Sequence, residues 1–160
     1  MKNTVIYPGS FDPPTNGHIN IVERSLKIFD RVIVAVAEHS TKVPIFSPAE
    51  RVEMMQTIFS THKNVIIEPF SGLLMTYARQ KGVQKILRGI RNVGDYEFES
   101  QMMLVNRALD PELDTIFMMT EGRFSHISSS IIREIVTLGG SITGMVHPVV
   151  EQKLKSKLTP

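Results

Sequence analysis

The stretch Tyr7-Pro8-Gly9-Ser10-Phe11-Asp12-Pro13-Pro14-Thr15-Asn16-Gly17-His18 separates an apolar run, Thr4 to Tyr7, from an amphipathic one, Ile19 to Phe29. Its order is strand, glycine- and proline-rich loop, then the first turn of a helix. Backbone amides exposed at such a turn bind anions, because a helix N-terminus carries partial positive charge. The Thr-x-Gly-His ending sets an imidazole at the same place. A loop shaped for phosphate, with a histidine aimed into it, points to chemistry on a nucleotide.

Working outward, short apolar runs alternate with helical patterns. Val32 to Ala37 is β-branched and apolar on both faces, and Asn64 to Glu68, Lys85 to Arg88 and Thr115 to Met119 follow it as further strands. Runs of this kind suit a parallel sheet covered by helices on both sides. The helices are expected over His18 to Phe29, from a Ser47-Pro48-Ala49-Glu50 capping box to about Ser60, and over Leu73 to Lys81 before Gly82. Three more span Asp95 to Leu109, Ser129 to Leu138 before Gly139-Gly140, and Val149 to Leu158. Strand and helix alternating in this way predict an α/β fold, one domain over residues 1–160, with a doubly wound five-stranded parallel sheet. Ligands of such sheets bind beyond the carboxyl ends of the strands, where the strand order reverses.

Composition narrows the classes. The chain has 160 residues, a formal net charge of +2 and no cysteine, which leaves room for one core and excludes disulfides and thiolate metal sites. No block of basic residues marks a nucleic-acid surface, and no apolar run reaches the ~20 residues of a membrane span. Neither nucleic acid nor membrane is expected as a partner, and the cytoplasm is the expected location. The histidines show no metal-binding spacing.

Two further motifs lie at predicted strand ends. Arg88-Gly89-Ile90-Arg91 closes the fourth strand, and a pair of guanidinium groups there can fork around phosphate oxygens. Ile127-Ser128-Ser129-Ser130 follows the fifth strand, with Arg133 one turn on. One serine is needed as a helix cap; three offer hydroxyls beside free amides, a neutral phosphate cradle. Lys42, in the loop after the second strand, has a side chain long enough that it could reach a phosphate. The loop is neither the dinucleotide fingerprint nor the P-loop, since Gly9 and Gly17 are too far apart and no G-x-x-x-x-G-K-[ST] occurs. The doublets Met54-Met55, Met102-Met103 and Met118-Met119 read as core filling, and Glu99 reads as a helix-surface carboxylate. A non-catalytic nucleotide sensor remains open on these residues, although it leaves His18 and a second phosphate site at Lys42 and Arg88 without a purpose.

Gly9-Ser10-Phe11-Asp12-Pro13-x-Thr15-x-Gly17-His18 with the later Ile127 to Ser130 run resembles the T/H-x-G-H nucleotidyltransferases, whose fold is Rossmann-like. Arg88-Gly89-Ile90-Arg91, Lys42 and the length narrow the resemblance to the bacterial phosphopantetheine adenylyltransferase family, over essentially the whole chain. It implies reversible transfer of the adenylyl group of ATP to 4′-phosphopantetheine, giving dephospho-coenzyme A and pyrophosphate, with Mg²⁺ arriving with ATP. It also implies coenzyme A as an inhibitor and a homohexamer built as two trimers.

Carried over by position, ATP contacts fall on Ser10, Phe11, His18, Gly89, Ile90, Arg91 and Glu99, and on Phe124, Ser125, His126, Ile127, Ser128, Ser129 and Ser130. Phosphopantetheine contacts fall on Ser10, Lys42, Leu74 and Arg88, with lesser ones at Tyr7, Met75, Asn106 and Glu134. His18, Lys42 and Arg88 are the implied catalytic set. Ser10 stands where threonine is frequent and keeps the hydroxyl; Phe124 stands where some relatives carry tryptophan. The expected helix from Asp95 carries Phe98, Met102, Met103, Val105 and Leu109, more apolar surface than one stripe needs.

Overall fold

A computed structural model describes residues 3–38 and 43–158. Five strands and six α-helices alternate along it: β1 (Thr4–Gly9), α1 (Asn16–Ser25), β2 (Arg31–Ala37), α2 (Pro48–Ile58), β3 (Val65–Phe70), α3 (Leu74–Lys81), β4 (Lys85–Ile90), α4 (Val93–Leu109), β5 (Asp114–Met119), α5 (Ser129–Thr137) and α6 (Pro148–Leu158). The strands form one parallel sheet in the order β3-β2-β1-β4-β5. The expected α/β architecture is therefore present. The chain builds outward from β1 through β2 to β3, then crosses to β4 on the other side of β1. The loops after β1 and β4 diverge at that reversal and open a crevice at the carboxyl end of the sheet.

The alternation of side chains along each strand feeds two cores. Val5, Tyr7, Val32, Val34 and Leu87 pack on one face against Ile21 and Val22 of α1 and Met55 of α2. Ile6, Ile33, Ala35 and Ile86 pack on the other face against Met75, Tyr77 and Ala78 of α3. A third cluster joins α2, α5 and α6 through Met54, Ile132, Val150 and Leu154, with Phe46 and Ile142 beside them. Fully burying each of these aliphatic side chains stabilises the fold by roughly 1.5–3 kcal/mol before chain entropy is counted.

The helix boundaries follow local chemistry. The Ser47 hydroxyl accepts from the Glu50 amide at 3.3 Å and the Glu50 carboxylate accepts from the Ser47 amide at 2.7 Å, the predicted capping box. Gly82 and Gly139 both take positive φ where their helices stop. α1 ends at Ser25, earlier than the pattern predicts; the chain then turns, and Phe29 still reaches the core. α4 begins two residues earlier than predicted because the Asn92 side chain caps it, accepting from the Asp95 amide at 2.9 Å.

The methionine doublets divide. Met54, Met55 and Met118 are buried, whereas Met102 and Met119 are exposed. The reason is position: α4 contributes no buried residue, and β5 is an edge strand.

Candidate active site

The loop after β1 is built to hold one imidazole. Thr15 caps α1, its hydroxyl accepting from the His18 amide at 3.4 Å, and the Thr15 amide donates to His18 Nδ1 at 3.0 Å. This is a capping box in which histidine replaces the usual Glu or Gln. Since Nδ1 accepts, the proton of the neutral ring sits on Nε2. Phe11 packs edge-on against the imidazole at 5.1 Å between centroids. Burial, then the charges of Arg91 and Arg88, push the His18 pKa down to about 4, so the free site holds a neutral ring and an Nε2–H donor.

The loop is tight around that ring. A Cβ on Gly9 would stand 2.9 Å from the Phe11 ring, and Phe11 itself takes a φ of +49°. Below it, Asp12 accepts from the amides of Ile45 and Phe46, both at 3.0 Å. The fully buried Arg51 donates to the carbonyls of Ser10 at 2.6 Å, Ala37 at 2.8 Å and Phe46 at 3.1 Å. Burial pulls the Arg51 pKa down, and the nearby Asp12 charge opposes that pull. One guanidinium thus joins the ends of β1 and β2 to the start of α2. Pattern alone gives Arg51 and Asp12 no role, because the partners of both lie on segments distant in the chain.

Both arginines of the β4 motif arrive oriented. Arg88 donates through Nε to Glu99 at 2.6 Å, through Nη2 to the same carboxylate, and through Nη1 to the Pro8 carbonyl at 2.8 Å. Arg91 is paired with Asp95 at 2.8 Å. Glu99 is therefore not a free helix-surface carboxylate, as its pattern implied; it faces β4 and holds Arg88.

The serine run is less open than three side-by-side hydroxyls suggest. Ser128 caps α5, accepting from the Ile131 amide at 3.1 Å, and Ser129 donates to the Pro13 carbonyl at 2.8 Å. The cradle offered to a ligand is the free backbone amides of the α5 start together with Ser130, which is exposed at the cavity wall.

These parts enclose a cavity of about 290 Å³, lined by Tyr7, Ser10, Phe11, His18, Arg88, Gly89, Arg91, Glu99, Ile127 and Ser128 to Ser130, and also by Asp95 and Thr120. A second cavity of about 130 Å³ continues beneath α4, lined by Leu74, Ile86, Phe98, Met102, Met103, Asn106 and Thr115. Arg88 and Glu99 line both cavities.

Other expected residues stand apart from both cavities. Ile90 and Met75 are core residues, and Glu134 is exposed on α5. Phe124 closes a 3₁₀ turn over Gly122–Phe124 under the Arg123 guanidinium, with Ser125 bonded back to Gly122 and His126 exposed beyond it. Lys42 lies outside the described residues.

The implied Mg²⁺ finds no ready-made ligand set. Among the described residues no group of three His, Cys, Asp or Glu side chains is placed to hold a metal. The two carboxylates on the cavity wall, Asp95 and Glu99, are both committed to arginines. The residues do not fit a resident metal site.

A strand-order reversal with an anion-binding turn, a donor imidazole and two fixed arginines defines a nucleotidyltransferase site, and the family model described as cytidylyltransferase-like matches residues 6–135. Curated relatives are more specific. The chain is 46% identical to phosphopantetheine adenylyltransferase of Desulforamulus reducens over 95% of its own length and 94% of the relative's. It is 48% identical to that of Desulfatibacillum aliphaticivorans, over 99% and 90% of the two chains. The chain belongs to the phosphopantetheine adenylyltransferase family. A crystal structure from Vibrio parahaemolyticus, provisionally assigned as a nicotinate-nucleotide adenylyltransferase, shares the fold with a TM-score of 0.68 at 20% identity, over 96% of this chain and 99% of that one.

Proposed function

We propose that the chain transfers the adenylyl group of ATP to 4′-phosphopantetheine, forming dephospho-coenzyme A and releasing pyrophosphate. The observation that carries this reading is the place of Arg88. Arg88 lines both the larger cavity, whose arginines, imidazole and amides suit anions, and the apolar one. An acceptor's phosphate held there meets ATP in the larger cavity. Its uncharged arm extends along Leu74, Ile86 and Phe98 towards Asn106.

The step is an in-line displacement. A phosphate oxygen of the acceptor bonds to the α-phosphorus, and the bond from that phosphorus to the oxygen bridging to the β-phosphate breaks. The nucleophile is already anionic near neutral pH, so no general base is required. The barrier is alignment and charge repulsion, and catalysis is positioning plus electrostatic stabilisation. His18 donates from Nε2 to an α-phosphate oxygen. Arg88, Ser10 and Lys42 hold the acceptor phosphate. Arg91 and the amides of the Ser128 to Ser130 turn take the β- and γ-phosphates. Mg²⁺ enters as part of the substrate, carried by the phosphates and water.

The working form is a homohexamer of two trimers in the cytoplasm, with coenzyme A as an inhibitor. The hexamer number rests on the family resemblance. The protomer supports assembly through α4, where Phe98 is 63% exposed, Val105 52% and Leu109 58%. Phe98, Met102, Val105 and Leu109 recur at helical spacing along one face, and an exposed apolar stripe of this kind marks an interaction surface. Among the described residues no helix is long and apolar enough to cross a membrane.

Pyrophosphate release from ATP tests the reaction against a panel of phosphorylated acceptors. Turnover is expected with 4′-phosphopantetheine. Preference for nicotinate mononucleotide or phosphocholine, or for CTP over ATP, would overturn the assignment.

A further inference from the structure

We propose that Asp95 is a positioning residue for the nucleotide's phosphates, acting through Arg91. Asp95 Oδ2 accepts from Arg91 Nε at 2.8 Å and from the Arg91 backbone amide at 3.1 Å, and Oδ1 accepts from Nη2 at 2.9 Å. Arg91 Nη1 then donates to the Ile127 carbonyl at 3.2 Å. Three of the five guanidinium N–H groups are committed, which leaves one on each terminal nitrogen for a ligand.

A solvated i,i+4 ion pair contributes little and holds no geometry. This pair differs in three respects. The contact is a bidentate fork reinforced by the backbone amide. Asp95 is itself fixed, because its amide is capped by Asn92 at 2.9 Å at the start of α4. The far end of the guanidinium is tied to the carbonyl just before the Ser128 cap. Asp95 therefore sets the distance between the β4–α4 turn and the cradle at the start of α5. Glu99, one helical turn further along α4, holds Arg88 in the same way. A bare carboxylate on the wall of an anion site repels phosphate. Here the charge is matched by Arg91, and what remains is orientation.

The inference rests on the assignment of Arg91 to the β- and γ-phosphates, and the test separates the two. Asp95→Asn keeps the size and removes the charged fork. Steady-state kinetics with each substrate varied should show kcat/KM for ATP falling about tenfold, the scale of a misplaced binding group, with KM for phosphopantetheine changed less than about twofold. Asp95→Glu should recover part of the loss. Arg91→Ala should lower kcat/KM for ATP further, and the double variant should be no worse than Arg91→Ala alone, because Asp95 acts only through Arg91.

Unchanged ATP kinetics in Asp95→Asn would overturn the proposal. So would additive losses, or equal losses for both substrates with a lowered melting temperature, which would mark a merely structural residue. Full use of ATP by Arg91→Ala would remove the assignment of Arg91, and the proposal with it.

Discussion

The backbone amide of Thr15 donates to Nδ1 of His18 at 3.0 Å, so the turn that begins α1 also decides which nitrogen of the imidazole carries the proton. Helix capping and the orientation of the imidazole are here one interaction. The Nε2–H donor is oriented before substrate arrives, which is what electrostatic preorganisation requires.

Removing that donor should affect the chemistry more than the fold. His18→Ala is expected to cut turnover by roughly 10²–10³, the usual cost of one transition-state hydrogen-bond donor. Pyrophosphate release measures it, with circular dichroism to verify folding. Turnover near that of the unaltered protein would end the role given to His18.

The two arginines should separate by substrate. Arg88→Ala and Lys42→Ala are expected to weaken phosphopantetheine binding, and Arg91→Ala to weaken ATP binding, because Arg88 lines both cavities whereas Arg91 lines only the larger one. Calorimetric titration of each ligand into each variant checks this. Loss of phosphopantetheine binding in Arg91→Ala with ATP binding intact would reverse the division.

His18 also makes stability depend on pH. In the unfolded chain the ring gains its proton near the ordinary value of 6.5, but in the folded chain only near 4. Between these values the unfolded state binds the additional proton. Stability from this group is therefore complete above about pH 6.5 and is lost as the pH falls towards 4. His18→Gln should flatten that part of the curve. Melting temperatures at pH 7, 5.5 and 4.5 decide, and parallel curves for the two proteins would show that burial does not hold the ring neutral.

Assembly should depend on α4. Met102 is 43% exposed on the same helix as Phe98, Val105 and Leu109. Val105→Glu, at a residue that lines neither cavity, places a charge in any interface formed there and is expected to lower the assembly state in sedimentation equilibrium. Activity should fall with it, since Asp95 and Glu99 on that helix hold the two arginines. A dilution series showing the unaltered protein as a single species of monomer mass at micromolar concentration would refute the assembly. A monomeric variant with full activity would uncouple assembly from the site.

Much of this protein is legible in its sequence because the rules involved are local. A strand buried on both faces must be apolar at successive positions, and Val32 to Val36 are. A helix start is stabilised by a nearby side-chain acceptor, and Ser47, Asn92 and Ser128 supply one within three residues. The anion-binding turn, with its glycines, Thr15 and His18, is likewise contained in one short stretch. What only the tertiary structure decided are pairings across the sheet order. Arg51 shows no sign in the chain that it will be fully buried, because its acceptors on Ser10 and Ala37 lie 41 and 14 residues away. Glu99 reads as a surface residue until β4 is placed beside β1 and α4 folds back over it. The serine run reads as three free hydroxyls until Ser129 meets the carbonyl of Pro13, 116 residues distant. Periodicity and capping act over a few residues and are written in the chain. The partner of a polar side chain depends on which strands become neighbours, and that is settled only when the sheet closes around β1.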